Sequence, residues 1–192
     1  MRIRAAVLTA VGLSLTLTLT GCMGGGMWNG GGQPRPSASA TAAFAQADVH
    51  FNMMMIPHHQ QAIEMADVIL AADGISSDVT DLATRIKAAQ APEIDQMSAW
   101  LEARGYPSDD ASMGPGHGMM SDDDLDQLRG LDGVEAERLF LAQMIEHHQG
   151  AIEMANDEIS AGLDAETIAL CQSIVLSQTA EITEMQELLA DR

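Results

Sequence analysis

The chain has 192 residues, of which 28 are acidic and 9 are basic, giving a formal net charge of −19. An acidic field of this size argues against nucleic acid and anionic membrane surfaces as partners and favours cations, without specifying which cation. With only two cysteines, the sequence also excludes a disulfide framework as the basis of the fold.

Residues 1–21 are typical of a lipoprotein signal peptide. Arg2 and Arg4 precede an uncharged, largely apolar stretch that is too short for a comfortable membrane span. Residues 19–22 (LTGC) then resemble the lipobox of bacterial lipoproteins, whose cysteine becomes the lipidated first residue of the mature chain. We therefore expect a lipid on Cys22 to anchor the protein to the outer face of the membrane, in the cell envelope. An ordinary signal peptide cut nearby is the alternative.

Residues 22–43 are rich in glycine, proline, serine and alanine, and they are predicted to form a flexible tether. The folded part is then expected over residues 44–192, a length that suits one domain with its own core. Cys171 would have no partner if Cys22 carries lipid. Its place on a helical pattern favours a buried packing thiol over a metal ligand.

An internal duplication defines the predicted architecture. The segment Phe51–Ala66 reappears as Phe140–Ala155, and the His-His steps of the two copies are 89 residues apart. A second matching pair of segments follows, at residues 86–101 and 174–189, with an offset of 88 residues. Agreement of this length indicates two related structural units.

Both copies have helical rather than strand periodicity, because similar residues recur every three or four positions along one face. Two helical hairpins are predicted, over residues 44–104 and 134–190. A crossover over residues 105–133, with a short helix after Ser121, joins them. We expect an all-α four-helix bundle. Glycines are expected to end three of the helices, at Gly74, Gly105 and Gly162. The four helices are predicted at residues 46–72, 77–104, 134–161 and 164–190.

The predicted inward faces carry polar residues where a helical bundle should be aliphatic. Every long helix contributes at least one of them: His58, Gln90, Glu93, His147, Gln178 and Glu181. Burying ionisable groups is costly unless something pairs with them, so these side chains either satisfy one another or hold a metal. Histidine–glutamate pairs that only fix the register of the bundle would make the protein a metal-free structural or interaction module.

A methionine lies one helical turn before each His-His step. Met55 and Met144 stand three residues before the first histidine of their copy and four before the second. On the partner helices, a methionine follows each glutamate at four residues' spacing. Repetition with the same neighbours favours a metal site centred in the bundle. The predicted ligands are Met55, His58, His59, Glu93, Met97, Met144, His147, His148, Glu181 and Met185.

The ligand types indicate which metal is bound. Ferritin-type di-iron bundles carry Glu-x-x-His, whereas here methionine occupies the position three before each histidine. A soft thioether favours copper, in particular Cu(I), over iron or manganese. A glycine-rich loop at residues 113–120 agrees with this, because exposed methionines would have no packing role. The secondary ligands predicted there are Met113, His117, Met119 and Met120.

Four further polar residues are shared by both copies but point away from the inward faces. They are Gln60, Glu64, Gln149 and Glu153. Two interpretations stay open: a contact between chains in a homo-oligomer, or a supporting role for the ligands.

The motif at residues 55–66 (MIPHHQQAIEMA) resembles the signature of the bacterial DUF305 family, a domain of unknown function, and residues 90–101 resemble its second block. The resemblance spans about residues 44–189. It implies a ferritin-like bundle and export from the cytoplasm, and some family members are associated with copper binding and copper resistance. The second copy departs from the first, with Glu146 and Gly150 in place of Pro57 and Gln61. The two half-sites therefore need not be equivalent.

The sequence thus predicts an exported, lipid-anchored protein that binds copper for sequestration, delivery or resistance. An enzyme is the weaker interpretation, because no nucleophile with a neighbouring base, phosphate-binding loop or cysteine metal motif is visible in the sequence. The alternatives that stay open are a ferritin-like metal-dependent oxidoreductase using iron or manganese, and a metal-free module.

Overall fold

The computed structural model describes residues 43–107 and 116–192, and every regular element within these ranges is an α-helix. The predicted all-α bundle of two hairpins and a crossover is confirmed, including the short helix after Ser121. The bounds of the four long helices differ from the predicted ones by at most two residues. None of the helices in the described part of the chain is long and apolar enough to cross a membrane. The helices are α1 (Gln46–Ala71), α2 (Ser77–Glu102), α3 (Asp122–Arg129), α4 (Gly133–Ala161) and α5 (Ala165–Ala190).

Each hairpin packs its own two helices together, α1 with α2 and α4 with α5, and the hairpins meet mainly through α1 and α4. Gly74 and Gly105 follow α1 and α2 with φ of +71° and +78°, a left-handed conformation that favours glycine. Gly162 follows α4 with an ordinary φ of −72°. A Cβ there would lie 2.1 Å from Oε1 of Glu158, so that side chain would have to shift.

The core consists of two hydrophobic clusters at opposite ends of the bundle. One contains the second half of α1 with the first half of α4, and the other contains the first half of α1 with the second half of α4. Because α1 and α4 run antiparallel, the middles of these helices lie between the clusters. Cys171 is fully buried in the second cluster, as predicted for a packing thiol, and burial raises the pKa of its sulfhydryl.

The middles of the four long helices form a polar layer between the clusters. Six of its side chains are buried, and two glutamates reach it from positions that are partly exposed. We call this set the histidine layer: His58, His59, Gln90, Glu93, His147, His148, Gln178 and Glu181.

A second polar network, which the sequence analysis did not single out, closes the bundle where α1 begins and α4 turns into α5. The fully buried carboxylate of Asp48 accepts hydrogen bonds from the backbone N–H groups of Leu163 and Asp164. Asp164 in turn caps α5 by accepting from the N–H of Thr167 at 2.9 Å, and it pairs with Arg104 at 3.0 Å. These bonds tie the two hairpins together at this end.

Candidate metal centre

His58 of α1 and His147 of α4 meet in the middle of the histidine layer. Their ring centroids are 3.7 Å apart, the ring planes are inclined by 38°, and neither side chain has any exposed surface. The two residues occupy matching positions in the duplicated segments. The antiparallel packing of α1 and α4 therefore brings the two copies of the motif into contact at one interior point.

The second histidine of each motif pairs with a glutamate of its own hairpin. Nε2 of His59 lies 2.7 Å from Oε2 of Glu93, and Nε2 of His148 lies 2.7 Å from Oε2 of Glu181. Both histidines are fully buried, whereas 18% of each glutamate side chain is exposed. The duplication in the sequence is thus reproduced in the contacts, one His–Glu pair per hairpin.

The hydrogen bonds of three of these histidines fix which ring nitrogen carries the proton. Nε2 of His58 lies 2.8 Å from the carbonyl oxygen of His117, which can only accept, so Nε2 must donate. In the same way, His59 and His148 donate from Nε2 to a carboxylate oxygen of Glu93 and of Glu181. In a neutral imidazole the other nitrogen, Nδ1, then holds a free lone pair.

The Nδ1 atoms of all four histidines are buried and unsatisfied. Nδ1 of His58, His59, His147 and His148 has no hydrogen-bond partner among the described residues, and the same holds for Nε2 of His147. The amide of Gln90 in the same layer also lacks a partner within that part of the chain. Each such group costs about 1–3 kcal/mol in a folded protein. Their concentration in one layer is what an absent ligand would leave behind.

The two central histidines are held neutral. Burial is the main cause that lowers the pKa of His58, to about 3, and the charges of neighbouring histidines add to it, against the opposing effect of the His117 carbonyl. Burial followed by the charge of His58 lowers the pKa of His147 well below its usual value. A neutral imidazole is the form that binds metals.

The buried methionines lie on both sides of the histidine layer. In the antiparallel α1–α2 hairpin, the contact between His59 and Glu93 sets the register, so Met55, four residues earlier, faces Met97, four residues later. Both thioethers are fully buried and belong to the same hydrophobic cluster.

The second hairpin repeats this arrangement in the opposite cluster. The contact between His148 and Glu181 sets Met144 against Met185, and both thioethers are again fully buried. We call Met55, His59, Glu93 and Met97 the first half-site. The second half-site consists of Met144, His148, Glu181 and Met185.

The described ranges contain no group of three His, Cys, Asp or Glu side chains placed to share one metal ion. The imidazole rings of His58 and His147 lie in contact, with their centroids 3.7 Å apart. The other donors beside the layer are the methionine sulfurs of the two half-sites, which are soft ligands suited to Cu(I).

The end of the crossover lies directly on α1 and α4 over the histidine layer. Besides the bond from His58 to His117, the side chain of Gln61 donates to the carbonyl of Met120 and accepts from its N–H, both at 2.8 Å. At Gly150 of α4, a Cβ would lie 1.6 Å from the carbonyl oxygen of His117. The difference between the two copies therefore has a structural reason, because Gln61 holds the loop and Gly150 makes room for it.

The expectation that the loop methionines are exposed is wrong for Met120. Its side chain is 8% exposed and packs in the first hydrophobic cluster, because Gln61 holds its backbone against α1. Met119 is half-buried, and Met113 lies outside the described residues. His117 is exposed and has a φ of +51°, a left-handed conformation that is uncommon for a residue other than glycine.

The four shared polar residues outside the histidine layer point away from it, as expected. Gln60, Glu64, Gln149 and Glu153 are all exposed, and Glu64 pairs with Arg129 of α3. Cys22, the predicted signal peptide and the tether up to residue 42 lie outside the described residues.

Comparison with known proteins places this arrangement in a family. The model of the family described as domain of unknown function DUF305 matches residues 48–189, which include all four histidines of the layer. The chain belongs to the DUF305 family. No curated protein matches it.

Three solved structures illustrate the family. A DUF305 fragment from Deinococcus radiodurans is 32% identical, with a TM-score of 0.71 over 77% of this chain and 98% of that one. A DUF305 protein from Streptomyces coelicolor, provisionally named as secreted, is 33% identical, with a TM-score of 0.69 over 76% of this chain and 93% of that one. CopM in its Cu(I)-bound form is 32% identical, with a TM-score of 0.64 over 75% of this chain and 96% of that one. CopM has also been solved with Cu(II) and with silver bound.

Proposed function

We propose that this DUF305 protein binds copper, preferentially Cu(I), in the histidine layer, and that it sequesters or delivers the ion outside the cytoplasm. The observation that carries this proposal is the set of four buried Nδ1 atoms without partners among the described residues. Neutral imidazole nitrogens in a dry interior are costly when empty and are good ligands for copper. Metal binding explains why all four are retained.

The ligand set we propose is one pair of thioethers and one imidazole in each half-site. Met55, Met97 and Nδ1 of His59 would serve the first half-site, with Glu93 orienting the imidazole through Nε2. Two sulfurs and one nitrogen suit Cu(I), which prefers soft donors. A carboxylate that holds the far side of a ligating histidine is a common feature of metal sites.

The second half-site would bind in the same way through Met144, Met185 and His148, supported by Glu181. His58 and His147 lie between the two half-sites and offer two more Nδ1 donors. These two histidines can complete the coordination sphere of either half-site, or pass an ion from one half-site to the other. Similarity to CopM, which has been solved with Cu(I), Cu(II) and silver, supports a soft metal ion as the ligand.

The metal-free alternative explains only half of the observations. Ion pairs between histidine and glutamate satisfy Nε2 of His59 and His148. They leave Nδ1 of the same rings without a role, and they do not explain why His58 and His147 face each other. A ferritin-like oxidoreductase would have to contain iron or manganese when it is isolated from its native envelope. Metal analysis of that material therefore distinguishes such an enzyme from a copper-binding protein.

A Cu(I) titration against a competing chelator tests the proposal. We expect the purified protein to bind two interior equivalents, and M55L/M97L and M144L/M185L each to lose one of them. Leucine replaces methionine with little change in volume, so the fold is retained. Met65→Leu, at a fully buried methionine outside the half-sites, is the matched control. Unchanged binding in both double variants would contradict the ligand assignment.

We further propose that the protein is an exported lipoprotein anchored through Cys22. The sequence at residues 19–22 and the secreted relative from Streptomyces coelicolor support this location. Cys22→Ser is expected to move the protein from the membrane fraction to the soluble fraction of the envelope. A variant that stays in the membrane fraction would show that the lipid is not the anchor.

A further inference from the structure

A cavity of about 180 Å³ opens at the surface between the start of α1 and the end of α4, beside the crossover. Its walls are mostly apolar, but two of the nine lining residues are histidines and two are methionines. These are His50, Met54, His117 and Met154. We call this set the surface pocket.

Local structure explains why these four side chains lie together. His50 and Met54 are four residues apart on α1, so they share one face of the helix. Met154 lies one turn after Gly150, the point where the crossover touches α4. His117 completes the set because Gly150 leaves space for its backbone.

Three of these four positions are not a by-product of the duplication, whereas Met154 corresponds to Met65 of the first copy. At the 89-residue offset, His50 and Met54 correspond to Leu139 and Gln143, so the second copy has no equivalent pair. His117 has no counterpart at all, since it belongs to the crossover. Within the described residues the surface pocket therefore has no equivalent in the second copy, and it lies on the side where the loop covers the histidine layer.

Exposure suits the pocket for capturing an ion from solution. His50 and His117 are exposed, Met54 is partly exposed and Met154 is 9% exposed, so the donors lead from the surface inward. Asp157, also in the wall, adds a negative charge that attracts cations. Two imidazoles and two thioethers form a donor set for a soft monovalent ion.

One residue joins the surface pocket to the buried layer. The imidazole of His117 lines the pocket, while its carbonyl oxygen accepts the hydrogen bond from Nε2 of His58. The pocket is thereby one hydrogen bond away from the histidine that faces His147. The left-handed backbone of His117 is held by the contacts of the loop with Gly150 and Gln61, and such held conformations cluster at functional sites.

We propose that His50, Met54, His117 and Met154 form a second, surface-accessible site for Cu(I) or another soft monovalent ion, from which the histidine layer is loaded. Binding in the pocket stands independently of the interior, whereas the loading role rests on the proposed function. None of the interior ligands belongs to this set.

The binding step is tested by NMR of the protein labelled with ¹³C in its methionine methyl groups, titrated with Ag(I) as a redox-inert probe. The methyl signals of Met54 and Met154 are expected to shift together, with one equivalent of silver. In H50Q/H117N this shift should need at least tenfold more silver. Asparagine is chosen at position 117 because it tolerates the left-handed backbone. Met53→Leu, next to the pocket but not lining it, is the matched control.

Signals of Met54 and Met154 that stay unmoved at saturation, or that move equally in H50Q/H117N, would overturn the site. Failure of the proposed function would be seen separately, as unmoved signals of Met55, Met97, Met144 and Met185. The loading role is tested by stopped-flow transfer of Cu(I) from a coloured chelator. M54L/M154L should fill the interior at least tenfold more slowly, and an unchanged rate would overturn that role.

Discussion

Gly150 and Gln61 occupy the same position in the two copies of the motif, but they contact the crossover in different ways. Gln61 binds the backbone of Met120 with both ends of its amide, whereas Gly150 lets the carbonyl of His117 approach α4 to a distance that no side chain permits. This pair of residues is one of the points at which the two copies differ. It also decides that the loop lies on one side of the histidine layer only.

Replacing Gly150 with alanine should displace the crossover. The added Cβ would lie 1.6 Å from the carbonyl oxygen of His117, so backbone must move on one side or the other. We expect the free energy of unfolding to fall by about 1–3 kcal/mol, and amide exchange at residues 116–120 to accelerate. Urea unfolding and hydrogen–deuterium exchange measure these effects.

Gly130→Ala is the control for that substitution. At Gly130 a Cβ would lie 3.5 Å from the nearest atom, and the backbone φ is −86°, which alanine adopts without strain. A change of less than about 0.5 kcal/mol is expected there. Equal effects of the two substitutions would show that the contact between the loop and α4 does not matter for stability.

For single residues, the sequence predicts which side chains form the site better than it predicts the atoms they contact. The duplicated histidines, with methionine and glutamate at helical spacing, are sufficient to predict a shared interior layer. Helical periodicity and internal repetition can both be recognised in the sequence alone. The role of His117 was not visible in the same way. Its carbonyl contact depends on the path of an aperiodic loop, and Met120 is buried for the same reason.

The register of each hairpin is the feature that builds a half-site. The pair His59–Glu93 in the first hairpin and the pair His148–Glu181 in the second have the same Nε2–Oε2 distance of 2.7 Å. An antiparallel helix pair fixed at one such contact places the flanking methionines one turn away, on both helices at once. A slip of one helix relative to the other would separate the two thioethers.

Removing the charge from these two glutamates should weaken copper binding without unfolding the bundle. In E93Q/E181Q the amide still accepts from Nε2, but it no longer fixes the imidazole or raises its basicity as a carboxylate does. We expect the affinity for Cu(I), measured against a competing chelator, to fall by about 10–100-fold. E64Q/E153Q, at exposed glutamates found in both copies, should bind as the unchanged protein does. Equal affinities of all three proteins would argue against a role of the pairs in metal binding.

The helices themselves were predictable almost to their ends. Long amphipathic stretches bounded by glycine carry a strong periodic signal, and α1, α2, α4 and α5 follow it within two residues. The short helix α3 was expected from Ser121, which caps it by accepting from the N–H of Asp124. The packing of α1 on α4 followed from the duplication, since both motifs had to bury the same polar face.

At the scale of the whole molecule, two neighbouring carboxyl groups, those of Asp48 and Glu158, lie at the end of the bundle where α1 begins. Glu158 of α4 is buried beside Asp48, and burial, the hydrogen bond to Asp48 and the charges of Asp48 and Asp164 raise its pKa to about 8. The hydrogen bonds that Asp48 receives more than offset its burial, so its pKa is lowered. The sequence does not reveal this pair, because its members lie 110 residues apart and outside any motif that the two helices share.

The stability of the metal-free protein should depend on pH in two opposite ways. Between pH 4.5 and about 8, the folded state keeps a proton on Glu158 that the unfolded chain loses, so the free energy of unfolding falls as pH rises. His58 and His147 have lowered pKa values, so below pH 6.5 the unfolded chain binds protons that the folded one does not. Their effect makes unfolding easier as pH falls. We expect greatest stability near pH 6.5.

Glu158→Gln should remove the decline in the free energy of unfolding above pH 6.5. Urea unfolding at pH 6.5, 7.25 and 8 is expected to give a constant free energy in this variant and a falling one in the unchanged protein. The titratable and charged groups around Glu158 are unchanged in this variant; they are Asp48, Asp164, Cys171 and Arg104. Glu153→Gln, on the exposed face of the same helix, should keep the decline. A decline that persists in Glu158→Gln would assign it to another group.

X-ray absorption at the copper edge of the Cu(I)-loaded protein tests most directly whether the interior donors hold the ion. The measurement is made in a background of M54L/M154L, so that the surface pocket supplies no sulfur. We expect both sulfur and nitrogen neighbours around copper, and loss of the sulfur signal when Met55, Met97, Met144 and Met185 are also changed to leucine. Copper surrounded only by nitrogen and oxygen, with a spectrum that does not change in the leucine variant, would contradict an interior site.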